Sequence, residues 1–110
     1  MGIIVENGHG ITRDQVLKEI MELALFPHEW KASNIPLGLG AYNLELHIFV
    51  ISGELEIEVE DFPISAHEGA YVHIPSKLVH ELKPYDNVHL YIGLKTKEIS
   101  ELRRVYAAST

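Results

Sequence analysis

Histidine and glutamate are the side chains through which this sequence could do chemistry. The segment Asn43-Leu44-Glu45-Leu46-His47 alternates polar and apolar residues. On a strand, Asn43, Glu45 and His47 would share one face, and Leu44, Leu46, Ile48 and Val50 the other. A carboxylate and an imidazole on one face are oxygen and nitrogen donors of the kind that suit iron, manganese, zinc or nickel. The same alternation also gives any half-buried strand an ordinary solvated face. His73 and His89 lie on two later apolar runs, where a contact across strands would make a second nitrogen pair. His9, His28 and His67 sit in loop-like contexts and read as exposed. Cysteine is absent, which excludes thiolate ligands, disulfides and a Cys nucleophile. The chain has no nucleophile elbow, no Gly-rich phosphate loop and no H-E-x-x-H.

The elements that must carry these residues are mostly short strands. A helix is expected first, from Thr12 to about Leu25. Thr12 is a good N-cap, and Gln15 three residues on completes a capping box. Val16, Leu17, Ile20, Leu23 and Ala24 then recur at helical spacing, and Pro27 is the expected stop. Residues 28–36 read as extended, and Gly38 and Gly40 as a bend. A long strand is expected at about Tyr42 to Ile51, followed by a turn at Ser52-Gly53. Glu54, Glu56, Glu58 and Glu60 alternate with Leu55, Ile57 and Val59, a half-buried strand with a solvated glutamate face. Glu60-Asp61 reads as a turn, and Phe62 to Ser65 as a strand that Pro63 marks as an edge. After a turn at His67-Glu68-Gly69, strands follow at Ala70 to Ile74, Val79 to Leu82 and Val88 to Leu94. Thr96 could cap a last helix at about 97–106, with Ile99, Leu102, Val105 and Tyr106 on its apolar side. Short strands punctuated by turns point to a β-barrel or sandwich.

Composition limits the partners. The chain has 110 residues, enough for one domain with its own core. Lys and Arg number 9 against 16 Asp and Glu, a formal net charge of -7. The basic residues are scattered, with only Arg103 and Arg104 adjacent, so neither nucleic acid nor an anionic membrane surface is an expected partner. No apolar run is long enough to span a bilayer. No basic segment followed by an apolar stretch opens the chain, so no secretory leader is read and a cytoplasmic location is expected.

The stretch from about Gly38 to Leu94 resembles the cupin family, small barrels with a pocket in the barrel mouth. The second cupin motif runs glycine, five residues, proline, one residue, glycine, two residues, histidine, three residues, asparagine. Here Gly69, Pro75 and His80 keep that spacing, while Lys77 replaces the second glycine and Pro84 the asparagine. Gly53 looks like the end of the first motif. Counting back puts Leu46 at the glutamate position, and Gly40 and Tyr42, or Leu39 and Ala41, at the histidine pair. The resemblance therefore implies an all-β fold with flanking helices, a single cupin-like barrel of the double-stranded β-helix, jelly-roll type. It spans about 29–95, with a helical segment at about 12–25 before it and a helix at about 97–106 after it. His80, Tyr42 and Leu46 would face the mouth and contact a small-molecule ligand. No metal is expected in the standard site, which would retain His80 alone. If a bulge shifted the strand by one residue, His47 and Glu45 would turn inward beside His80, an alternative set for a divalent transition metal. A homodimer is the expected assembly. Three functions are open: binding of a small molecule in the mouth, a metal-dependent dioxygenase or isomerase with a non-standard ligand set, or a structural or interaction protein with a vestigial pocket.

Overall fold

The structure is a computed structural model that describes residues 2–31 and 39–105. Its elements run β1 (Ile4–Glu6), α1 (Arg13–Glu22), β2 (Phe26–Lys31), β3 (Leu46–Val59), β4 (Phe62–Ala66), β5 (Tyr71–Ile74) and β6 (Glu81–Leu94), then a 3-10 turn at Ile99–Glu101. All strand pairs are antiparallel, in the order β1-β5-β3-β6-β2, with β4 on β3. No helix among the described residues is long and apolar enough to cross a membrane.

Two long strands bend the sheet around a core. The first half of β3 pairs with β5 and β6, and its second half with β4 and β6. Ser52-Gly53, expected to be a turn, is instead a bulge within β3. The β3–β6 register shifts on both sides of Ser52, and Gly53 takes φ 81°, where its missing Cβ removes the steric cost. The bulge exchanges the parity of the strand. Leu46, Ile48 and Val50 face the core before it, and Leu55, Ile57 and Val59 after it. The expected strand at Val88 to Leu94 and the end of the one expected at Val79 to Leu82 are likewise fused in β6, which starts at Glu81, while His80 makes an isolated bridge to Gly40. Val72, Ile74, Leu82, Leu90, Ile92 and Leu94 complete the core.

The other face of the sheet carries α1. Val16, Ile20 and Leu25 pack on Phe49 and Tyr91, and Arg13 Nε donates to Tyr91 Oη at 3.1 Å. Thr12 and Gln15 form the capping box. The helix stops at Glu22, short of the expected Leu25. The Ala24 and Leu25 N–H groups bond back to Met21 and Ile20, a Schellman close that turns Leu25 into the core layer. Pro27 lies beyond this point, in β2 opposite Gly93. A Cβ on Gly93 would meet Leu25 Cδ1 at 3.1 Å, so glycine there lets the end of the helix approach the sheet.

Two further expectations are corrected, and one strand carries no signal in the sequence. The expected helix at about 97–106 is replaced, over its described part, by one 3-10 turn and an extended arm. That arm bridges Tyr42 at Arg104 and packs Leu102 on the core; residues 106–110 lie outside the described residues. β1 has only three residues, too few for a periodic signal, and it docks on β5 by register rather than by pattern. His28 belongs to β2 and is half-buried, its Nε2 donating to Thr96 O at 3.1 Å.

Lys77 stands where the cupin motif has glycine, and it takes φ 67°. A left-handed conformation costs an L-residue with a Cβ roughly 1–2 kcal/mol. Against the entropic cost of glycine in the unfolded chain, Lys77→Gly is expected to stabilise by roughly 0.5–1 kcal/mol, read as a higher urea midpoint at unchanged m-value. An unchanged or lower midpoint would show that the Lys77 side chain contributes more than its backbone strain costs.

Candidate metal centre

Alternation along β3 puts Leu46 and Ile48 in the core, so His47 must point to the opposite face. The same holds on β5, where Val72 and Ile74 face inward and His73 outward. The β3–β5 register sets His47 directly opposite His73, and their ring centroids are 4.8 Å apart. Glu45, just before β3, reaches His47 Nε2 at 2.7 Å and lies 3.7 Å from His73 Nε2. One donor atom from each of the three residues falls within 4.8 Å of the other two. His73 therefore meets His47, and not His89 as the sequence suggested; His89 pairs with Glu29 at 2.7 Å.

The protonation states suit ligation. The hydrogen bond from His47 holds the Glu45 carboxyl below its ordinary value, so it is ionised. Burial pushes the His47 imidazole down, although Glu45 pulls it the other way, so the ring is neutral at neutral pH. Burial raises Tyr71, with the charges of Glu6 and Glu45 adding to it, so its phenol keeps its proton. His47 Nε2–H then donates to Glu45, and Tyr71 Oη–H donates to His47 Nδ1 at 2.8 Å. In the other tautomer Nδ1–H would donate to Tyr71 Oη and the Nε2 lone pair would face the Glu45 carboxylate, a pairing that a cation between them would favour. Tyr71 thus stands where metal-binding histidines commonly carry an outer hydrogen-bond partner.

The residues expected to line a barrel mouth lie on the core side of the sheet. Tyr42, Leu46 and His80 are 5%, 1% and 2% exposed. His47 is on the opposite face from His80, so the shifted register that would join them does not occur. Tyr42 and His80 pack with ring centroids 5.9 Å apart, and Arg104 Nη2 donates to Tyr42 Oη at 3.2 Å. His80 Nδ1–H donates to Leu78 O at 2.8 Å. That leaves Nε2 an acceptor, buried and without a partner among the described residues.

Burial pushes the His80 imidazole below its ordinary value, against the pull of the Leu78 carbonyl. The unfolded chain therefore binds this proton more readily than the folded one. The resulting stability is fully present above about pH 6.5, the value of a free histidine, and is lost as pH falls toward the lower folded value. Wild type is expected to lose more stability than His80→Leu between pH 7 and pH 5, measured by urea unfolding. Equal losses would show that His80 takes up its proton without cost.

Fold and geometry together define an all-β, cupin-like barrel that carries two histidines and a glutamate on the outer face of its sheet. No family model matches the chain, and no curated protein is similar to it in sequence. Among solved structures it resembles the crystal structure of a DUF861 family protein from Thermotoga maritima, at 19% sequence identity and a TM-score of 0.57. The match covers 84% of this chain and 98% of that one. At this identity the likeness shows the fold alone.

Proposed function

We propose that the protein binds a divalent transition metal through Glu45, His47 and His73. The observation that carries this reading is the convergence of one donor atom from each residue within 4.8 Å of the others. Ligands at about 2.0–2.1 Å from a tetrahedral ion lie about 3.3 Å from one another. Small rotations of Glu45 and His73, both partly exposed, would bring the set to that spacing. Two imidazoles and one carboxylate are borderline ligands that favour zinc, iron, nickel or manganese over calcium or magnesium. Three protein donors would leave coordination positions for water or a small molecule, the arrangement of catalytic rather than structural sites. The test is titration of chelator-stripped protein with Zn²⁺ and Co²⁺. The expected result is saturation at one ion per chain, with Co²⁺ giving the absorption of a nitrogen and oxygen site. Absence of stoichiometric uptake of either ion would overturn the reading.

A second reading is favoured by the unpartnered Nε2 of His80. A small molecule with a hydrogen-bond donor would satisfy it beside Tyr42, whose ring packs on that of His80. His80→Ala should then weaken binding by about 1–3 kcal/mol. A fragment screen read by chemical shifts tests this, and hits that ignore His80→Ala would refute it.

A further inference from the structure

A separate cavity of about 200 Å³ opens between α1 and the sheet. Its apolar wall is made by Phe49, Tyr71 and Leu23, and Glu6, Glu19 and Glu22 stand around it. The Phe49 and Tyr71 rings pack with centroids 4.9 Å apart, and the His9 imidazole packs 5.3 Å from Tyr71. His9, expected to be exposed, is half-buried here and held at both nitrogens. Nδ1 bonds to Glu19 and Nε2 to Glu6, and the other Glu19 oxygen accepts from Gly10 N–H. Glu22 has no hydrogen bond or ion pair among the described residues, and Lys18 lines the neighbouring groove rather than this cavity.

We propose that this cavity binds a small organic ammonium, an amine carrying a short apolar body. Three carboxylates and one imidazole line the cavity, so the site is negative whether or not the ring is charged. Tyr71 is the partly exposed aromatic ring of this wall, with buried Phe49 packed behind it, and an aromatic ring attracts a cation through its quadrupole. A bare metal ion fits less well, because the His9 ring holds Glu6 and Glu19 apart on its two edges. An anion would meet three carboxylates. The volume lies below the roughly 300–1,000 Å³ of sites for drug-sized ligands, which limits the guest to about the size of benzylamine. This site stands apart from the metal reading: the two share Tyr71, whose hydroxyl engages His47 while its ring walls the cavity.

The test uses the full chain with chelator present, so that its outcome is independent of metal. Benzylammonium, benzyl alcohol and benzoate are titrated in turn, with binding read from amide shifts at Leu23, Phe49 and Tyr71. Benzylammonium is expected to bind about tenfold more tightly than benzyl alcohol, and benzoate more weakly than either. Glu22→Lys should remove that preference while leaving the melting temperature nearly unchanged, since Glu22 is exposed and makes no hydrogen bond or ion pair among the described residues. Leu23→Trp, at another exposed position, should fill the cavity and weaken benzylammonium and benzyl alcohol alike. Equal affinity for alcohol and ammonium would show an apolar hollow without charge selectivity. Tighter binding of benzoate, or no shift with any probe, would equally overturn the proposal. So would full ammonium affinity in both variants.

Discussion

Alanine at His47 or at His73 is expected to lower the affinity for Zn²⁺ by at least about a hundredfold. Loss of an outer hydrogen-bond partner of a metal ligand alone costs about 10–100-fold, and loss of a nitrogen donor costs more. Each variant leaves one imidazole and one carboxylate, too few donors to compete with water for a divalent ion. Glu45→Gln removes the only charged ligand and should also weaken binding, while Tyr71→Phe, which keeps all three donors, should cost about tenfold. His89→Ala serves as control: it deletes another histidine of the sheet, one bonded to Glu29. Competition against a chromophoric chelator measures all five proteins. Retention of wild-type affinity in His73→Ala would refute the three-residue centre, because His73 is the ligand that β5 contributes. Equal loss in His89→Ala would show binding by histidines in general rather than by this set.

Phe49→Ala is expected to destabilise the fold by about 3–5 kcal/mol, the usual cost of removing a buried phenyl ring. Phe49 is 1% exposed and packs with Val16, Ile20, Leu25 and Tyr91 where α1 meets the sheet. Collapse there is limited, because β3 pairs on both sides of Phe49, with Tyr71 and with Tyr91. Small domains have about 5–15 kcal/mol in total, so the variant should lose much of its stability and its urea midpoint should drop sharply. Phe49→Leu keeps most of the volume and should cost less than about 1.5 kcal/mol. A loss under 1 kcal/mol in Phe49→Ala would mean that the helix layer contributes little to the folded state.

The capping box at Thr12 and Gln15, the turn at Glu60-Asp61 and the alternation that sends Leu46 inward are all legible in the sequence. Each depends on residues close in the chain, where side-chain period and local hydrogen bonds decide the conformation. The barrel fold was legible for a related reason: Gly69, Pro75 and His80 keep the cupin spacing. The helix end was not, since Ala24 holds a left-handed position (φ 59°) that glycine usually marks. Nor was the bulge at Ser52-Gly53 legible, because glycine after an apolar run signals a turn and a bulge equally well. Glu45 and His47 were visible as a donor pair on one face, but their partner was not. Alternation says that His73 faces away from Val72 and Ile74. It does not say which strand lies beside β5, or in what register. That is settled by the long-range pairing of β3 with β5, which buries Leu46 against Ile74 and Ile48 against Val72. A slip of one residue would turn those side chains out of the core. Burial of the apolar face thus sets the register, and the register brings His73 to His47 while leaving His80 on the opposite face.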